Sequence, residues 1–110
     1  MIPTPPLDWF RSMLPPQIES MEGWCSASKA LALFEYVVSR RPQTSIELGV
    51  WGARSLLPIA CGHWAIDHGA VTGFDTYRVE ESIEGTNDPE NAAWWERVDF
   101  RKIREGALHT

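Results

Sequence analysis

The stretch that decides the fold of this chain reads Glu47-Leu48-Gly49-Val50-Trp51-Gly52-Ala53-Arg54-Ser55. It joins a strand-like run at residues 44–50 to a helix-like run at 53–68, which Gly69 is expected to stop. Glycine admits positive φ and lets a ligand approach the backbone closely, while a helix start offers free N–H groups to an anion. An acidic residue, two glycines and a serine in this order therefore predict a strand-to-helix turn built around a small ligand.

The runs on either side of this turn predict an α/β fold. A second strand-like run follows at 70–76, and a helical pattern extends from Ser26 or Ser28, the candidate N-caps, to the stop at Arg40-Arg41-Pro42. Asp88-Pro89-Glu90 predicts the start of a further helix. The order helix, strand, helix, strand, helix is that of one βαβ unit with a helix at each end. We expect its strands to be adjacent, parallel and joined by a right-handed crossover.

The first residues differ from the rest of the chain in composition. Residues 1–22 hold five of the eight prolines, so we expect an irregular proline-rich N-terminal arm in which only 7–14 form a short helical turn. Residues 23–110 are then one partial domain. The start carries no signal-peptide pattern, and the longest apolar stretch, 55–66, is too short to cross a bilayer. These features predict a cytoplasmic protein without a membrane partner.

Charge, cysteine usage and histidine spacing exclude several classes of function. The net charge of −5 and the pI near 5.1 argue against nucleic acid as the main partner, because its backbone needs a basic face. Cys25 and Cys61 belong to no C-x-x-C pair and predict neither a disulfide framework nor a zinc site. His63 and His68 would point in different directions on a helix, so no metal site is predicted.

The residues of the turn also discriminate between cofactors. A dinucleotide fingerprint beginning at Gly49 would need two further glycines where the chain has Trp51 and Arg54, and no Walker lysine follows. A carboxylate at Glu47 would repel a pyrophosphate at short range. The same carboxylate would attract the ammonium and sulfonium groups of S-adenosylmethionine. The turn therefore favours this cofactor over a nucleotide.

Further residues complete the predicted cofactor site. The helix start and the Ser55 hydroxyl are expected to receive the carboxylate of the cofactor. Asp75 ends the second strand about 20 residues past the turn, where a doubly wound sheet places its ribose-binding acid. The predicted binding residues are Glu47, Gly49, Gly52, Ser55 and Asp75. No set of carboxylates, or of serine, histidine and aspartate, marks a catalytic residue, so the catalytic residues stay unassigned.

Residues 45–58 resemble motif I of class I S-adenosylmethionine-dependent methyltransferases, most closely a bacterial branch that reads roughly V-E-I-G-V-W-G-G-R-S-L-I-P. Two flanking stretches extend the resemblance to about residues 20–103, and they read Glu22-Gly23-Trp24-Cys25-Ser26 and Asp88-Pro89-Glu90-Asn91-Ala92-Ala93-Trp94-Trp95-Glu96-Arg97-Val98-Asp99. The resemblance implies a Rossmann-like fold and transfer of a methyl group from S-adenosylmethionine. It leaves the methyl acceptor unknown.

The chain departs from the pattern of that family in two respects. Ala53 stands where the family has the second glycine of a pair, and the sequence pattern carries fewer strands than the sheet of the family. We therefore expect a truncated, N-terminal cofactor-binding part, inactive by itself and prone to self-associate through an unpaired strand edge. The alternative is a non-catalytic remnant or interaction module that retains the βαβ unit. A nucleotide- or NAD-binding domain is a third option, disfavoured by Trp51 and Arg54.

Overall fold

The computed structural model describes residues 3–77 and Ile103. Its elements in chain order are α1 (Leu7–Glu19), α2 (Ala27–Arg40), β1 (Thr44–Leu48), α3 (Leu56–Ile66) and β2 (Ala70–Phe74). The two strands pair in parallel, from Thr44 opposite Ala70 to Leu48 opposite Phe74, and α3 connects them along the chain. The predicted βαβ order with adjacent parallel strands is thereby confirmed. The helix predicted from Asp88 lies outside the described residues, although Ile103 is helical and buried.

Helix α2 begins and ends where the sequence pattern predicts. Ser26 is its N-cap, and its hydroxyl accepts a hydrogen bond of 3.2 Å from the Lys29 N–H. This bond satisfies one of the N–H groups that a helix start leaves without an intrahelical partner. Arg41 ends the helix in the left-handed conformation, with φ 52° and ψ 52°, and Pro42 follows. Local capping chemistry therefore sets both ends of α2.

Helix α3 is shorter than the pattern predicts. It begins at Leu56 and not at residue 53, because Trp51 and Ala53 have positive φ values of 55° and 71°, which no right-handed helix contains. It ends at Asp67, which is left-handed and donates its N–H to the carbonyls of residues 63 and 64. The expectation that Gly69 stops α3 is therefore wrong. Gly69 serves a close approach instead, since a Cβ there would lie 2.4 Å from the Gln43 carbonyl oxygen.

The N-terminal arm is a helix over most of its length, which corrects the expectation of an irregular segment. Pro15 and Pro16 lie inside α1 and have no N–H to donate, so the helix loses two internal hydrogen bonds there. Phe10, Leu14 and Ile18 recur every fourth residue on one face of α1 and are each 0% exposed. Burial of this stripe outweighs the loss at the prolines, because each such side chain contributes about 1.5–3 kcal/mol when fully buried.

The three helices form a core on one side of the sheet. Phe10, Leu14, Phe34 and Cys61 are its central cluster. Gly62 lets α3 approach α2 closely, since a Cβ at this position would lie 2.6 Å from the Val37 Cβ atom. None of the helices in the described part of the chain is long and apolar enough to cross a membrane.

The opposite side of the sheet, which we call the outer sheet face, is not covered by any helix within residues 3–77. Its residues alternate with the half-buried Ser45 and Glu47 of β1, and they are Thr44, Ile46, Leu48, Ala70, Thr72 and Phe74. The exposed fractions are 63% for Ile46, 80% for Leu48 and 54% for Phe74. Parallel sheets are normally covered on both faces. Helices α1, α2 and α3 therefore cover one face of the sheet, and none of them covers the apolar face opposite.

Candidate functional site

The turn between β1 and α3 forms the floor of the candidate site. Gly49 has φ of 80°, and Trp51 and Ala53 share the left-handed region with it. A Cβ at Gly49 would meet no atom within 4 Å, so the backbone there faces open space. The Gly49 N–H donates to the Phe74 carbonyl at 2.8 Å, which fixes the turn to the end of β2. The turn thus presents bare backbone at the carboxyl ends of both strands, where open α/β sheets bind ligands.

Asp75 is held directly against this turn. Its carboxylate accepts hydrogen bonds of 2.8 Å from the N–H groups of Trp51 and Tyr77, one on each oxygen. The Tyr77 hydroxyl donates to the Trp51 carbonyl at 2.6 Å and closes the arrangement. A carboxylate has about four acceptor positions, so each oxygen can accept a further hydroxyl. Asp75 is exposed, and two additional donors can reach it from solvent.

Glu47 carries the least satisfied polar group of the site. Its Oε1 atom accepts a short hydrogen bond from the Ser55 hydroxyl. Its Oε2 atom is buried and has no hydrogen-bond partner among the described residues. Burial raises the pKa of Glu47, the Ser55 hydrogen bond offsets part of this rise, and the negative charge of Asp75 adds to it. A buried carboxylate oxygen without a partner is costly, and a donor or cation placed beside it would remove that cost.

Ser55 has a different role from the one expected at a helix start. It occupies the N-cap position of α3, yet its side chain caps no backbone N–H. Its hydroxyl proton goes to Glu47 instead. A ligand carboxylate would have to compete with Glu47 for that proton, so Ser55 positions Glu47 in this structure.

A cavity of about 140 Å³ lies between this turn and the linker that joins α1 to α2. Its lining comes from both segments and consists of Glu22, Gly23, Trp24, Cys25, Gly49, Val50, Trp51, Arg54 and Ser55. Of the predicted residues, Gly49 and Ser55 line the cavity, while Glu47 and Asp75 are hydrogen-bonded to residues that line it. Gly52 is not in the lining and packs against the linker. A Cβ there would lie 2.2 Å from the Glu22 carbonyl oxygen.

Two site residues were missed by reasoning from the sequence. Arg54 donates to the carbonyl of Ile18 at 2.8 Å and to that of Gly23 at 2.6 Å, and so fastens the linker to the turn. Trp24 lies over the turn, with its ring centroid 5.1 Å from that of Trp51. The signal that could have found both was the flanking match at 22–26, which contributes the second wall of the cavity.

His63 forms a separate polar bridge at the other end of α3. It is 5% exposed, and its Nδ1 atom lies 2.8 Å from the His68 carbonyl oxygen. A carbonyl only accepts, so Nδ1 carries a proton, and in the neutral ring Nε2 accepts the Ser45 hydroxyl proton at 2.7 Å. The described residues contain no group of three side chains suited to hold a metal ion. The bridge therefore ties β1 to α3.

Comparison with known proteins identified no relative of this chain. No protein-family model, curated protein or solved structure matches the chain. Function is consequently argued from the turn, its two carboxylates and its cavity.

Proposed function

We propose that the turn at residues 47–55, together with Asp75, binds S-adenosylmethionine as the cofactor-binding part of a class I, Rossmann-like methyltransferase. The observation that carries this proposal is the buried Oε2 atom of Glu47, which has no partner among the described residues. A ligand with a positive group close to the turn neutralises this carboxylate, whereas an anionic ligand raises the cost of keeping it ionised. Gly49 leaves the adjoining backbone open to such a ligand.

The charges around the turn argue against a phosphate-bearing cofactor. Glu47 and Asp75 both lie at the strand ends, close enough that the charge of Asp75 raises the pKa of Glu47. The guanidinium of Arg54 is already bonded to two backbone carbonyls of the preceding segment. Among the described residues, a pyrophosphate would therefore meet two carboxylates at the turn, and the Arg54 guanidinium beside the cavity already donates to those carbonyls. This disfavours the nucleotide- or NAD-binding alternative.

The cavity is too small to hold the whole cofactor. Sites for small molecules occupy about 300–1,000 Å³, so a cavity of about 140 Å³ holds only a portion of the ligand. We expect the amino-acid end to enter the cavity and the ribose to lie outside it, within reach of Asp75. S-adenosylmethionine supplies an activated methyl group, and the residues of the turn bind and orient it. Methyl transfer then depends mainly on placing the acceptor in line with the methyl group; the acceptor stays unknown.

Calorimetric titration of the chain with S-adenosylhomocysteine tests the proposal. The Asp75→Asn variant should weaken binding by about 1.5–3 kcal/mol, as expected when hydrogen bonds to a charged group are lost. Asp67→Asn is the control, because Asp67 is also an exposed aspartate, at the opposite end of α3, and Asn also tolerates its left-handed backbone. Absence of binding, or equal affinities of the two variants, would contradict the proposal.

The outer sheet face supports a second candidate, the interaction module. Its six residues are all uncharged, so two copies of the chain bring no like charges together there. In the described part of the chain, β1 has a hydrogen-bonded neighbour on one side only, and its free edge can pair with the same edge of a second copy. We therefore propose that a second copy of this chain is the partner at the outer sheet face and the free edge of β1.

Sedimentation at several protein concentrations tests this second candidate. The wild-type chain should form dimers or larger species, and Leu48→Lys should shift it towards the monomer, because the variant places like charges on both copies. Gln17→Lys, at an exposed position of α1, is a control that adds the same single positive charge. A wild-type chain that stays monomeric at every concentration would contradict self-association.

A further inference from the structure

The linker between α1 and α2 is fastened to the ligand-binding turn at several points. Arg54 donates to the carbonyl of Gly23 in the linker and to that of Ile18 at the end of α1. Gly52 lies so close to the Glu22 backbone that any Cβ would collide with it. These contacts join segments that are about 30 residues apart in the chain. These contacts therefore fix the position of the linker, which forms one wall of the cavity.

Trp24 is an exposed large hydrophobic side chain on this wall. It is 65% exposed, although an indole contributes most to stability when it is buried. Its ring is tilted by 42° to the ring of Trp51, and both line the cavity. Glu22 and Arg54 line the same cavity, with the Arg54 guanidinium donating to the two backbone carbonyls, and Glu47 lies just behind Ser55. The face of an indole attracts cations within about 6 Å, more strongly when the site is dry. Aromatic faces and carboxylates together suit a positive charge.

We propose that Trp24, positioned by Arg54, makes the cofactor site selective for charge, so that it binds positively charged S-adenosylmethionine more tightly than neutral S-adenosylhomocysteine. This inference rests on the proposed function. It adds a specificity-determining residue outside the turn and a physical reason for release of the product: once the methyl group has left, the sulfur is neutral and its attraction to the indole face is lost.

The competing explanation is that Trp24 only packs the linker against Trp51. The two explanations differ in how they treat the charge of the ligand. A packing residue affects both ligands equally, because loosening the wall changes the whole cavity. A charge-selective residue changes the ratio of the two affinities.

Titration calorimetry with three ligands on the full chain measures that ratio. The ligands are S-adenosylmethionine, S-adenosylhomocysteine and sinefungin, which carries a protonated amine near the position of the sulfonium. In the wild-type chain, both cationic ligands should bind more tightly than S-adenosylhomocysteine. Trp24→Leu should reduce this preference by roughly 2- to 30-fold, the range for a cation–π contact between exposed and dry sites. Trp24→Phe, which keeps an aromatic face, should restore part of it.

Two further variants separate position from packing. Trp9→Leu removes another partly exposed tryptophan, on α1, and should leave the preference unchanged. Arg54→Lys keeps the charge but lacks the planar fork that reaches two carbonyls, so it should lower the preference in the same direction as Trp24→Leu. Circular-dichroism melts of every variant verify that it is folded.

Each result of the titrations decides a different point. If neither adenosyl ligand binds the wild-type chain, the proposed function itself is wrong, and the inference falls with it. If both bind with equal affinity, the proposed function stands and the charge selectivity is overturned. If Trp24→Leu weakens all three ligands by the same factor, Trp24 only packs the linker. If Arg54→Lys leaves the ratio of the affinities unchanged, Arg54 does not position Trp24.

Discussion

The helical side of this molecule and its outer sheet face contain similar residues in opposite environments. Phe10 and Phe34 are 0% exposed between the helices, whereas Leu48 is 80% exposed and Phe74 54% exposed on the sheet. The difference lies in what covers them. Consecutive helices fold back on one another and bury their stripes, but α3 reaches only one side of the β1–β2 pair. Burial therefore follows from coverage by other elements, and hydrophobicity alone does not produce it.

The largest expected effect compares one residue from each region. Phe34→Ala should lower the free energy of unfolding by about 3–5 kcal/mol, because it leaves a cavity in the core. At protein concentrations where the chain is monomeric, Leu48→Ala should change it by less than about 0.5 kcal/mol, as is usual for a surface position. Urea denaturation followed by circular dichroism measures both. A loss at Leu48 as large as that at Phe34 would mean that the outer sheet face is covered in solution.

The next effect concerns the covered face of the sheet. Ser45→Ala removes the hydroxyl that bonds to Nε2 of the buried His63, so it should cost about 1–3 kcal/mol of unfolding free energy. Ser39→Ala removes an exposed hydroxyl that bonds to the Tyr36 carbonyl, and it should change the stability very little. The same denaturation experiment applies. Equal small changes in both variants would show that solvent reaches the His63 bridge.

A smaller effect is the dependence of stability on pH. Burial raises the pKa of Glu47 above its ordinary value of 4.5, so the folded state holds the proton more tightly than the unfolded state. Stability should therefore fall as pH rises from 4.5 through the raised pKa, and Glu47→Gln should remove this fall. Glu35 is the control, because its pKa is shifted in the opposite direction. The hydrogen bond from Arg11 lowers its pKa, so Glu35→Gln should remove a gain in stability that appears as pH rises towards 4.5.

The pH experiment consists of urea denaturation of the wild type and the two variants from pH 3 to 7. If the unfolding free energy of Glu47→Gln depends on pH in the same way as that of the wild type, water reaches the Glu47 carboxylate in the folded chain.

The smallest effect is expected at the turn that separates the two regions. Ala53 has φ of 71° and is 2% exposed, so Ala53→Gly relieves about 1–2 kcal/mol of left-handed strain. It also removes a buried methyl group worth about 0.8 kcal/mol and adds unfolded-state entropy of about 0.5–1 kcal/mol. The net change should lie within about 0.5 kcal/mol. Ala30→Gly, in α2, has no strain to relieve and should cost more than about 1 kcal/mol.

The sequence predicted those parts of the fold that depend on near neighbours in the chain. The stop of α2 at Arg40-Arg41-Pro42 and its N-cap, for which Ser26 was one of two candidates, are confirmed, because capping involves residues within one turn. Both strands were placed correctly, but each ends two residues earlier than predicted, since the turns that follow begin at once. The prolines in 1–22 predict an irregular segment, but burial of the apolar stripe at every fourth residue stabilises helix α1 despite them.

The sequence also predicted only part of the candidate site. Glu47, Gly49, Ser55 and Asp75 were identified by type and spacing, and the structure brings them to one turn. The contact between Gly52 and the linker, and the roles of Trp24 and Arg54, depend on segments about 30 residues apart. Spacing along a chain carries no information about such contacts.

By itself, the sequence determined the parallel strand pair, the caps of α2 and an acidic, glycine-bearing turn, because these features follow from local backbone preferences and from the period of apolar residues. Only the tertiary structure decided that a helix with two prolines persists, that the linker forms a wall of the cavity, and that the three described helices all leave the outer sheet face uncovered. Each of these results depends on which distant surfaces come into contact, and the free energy of burying them outweighs local propensity.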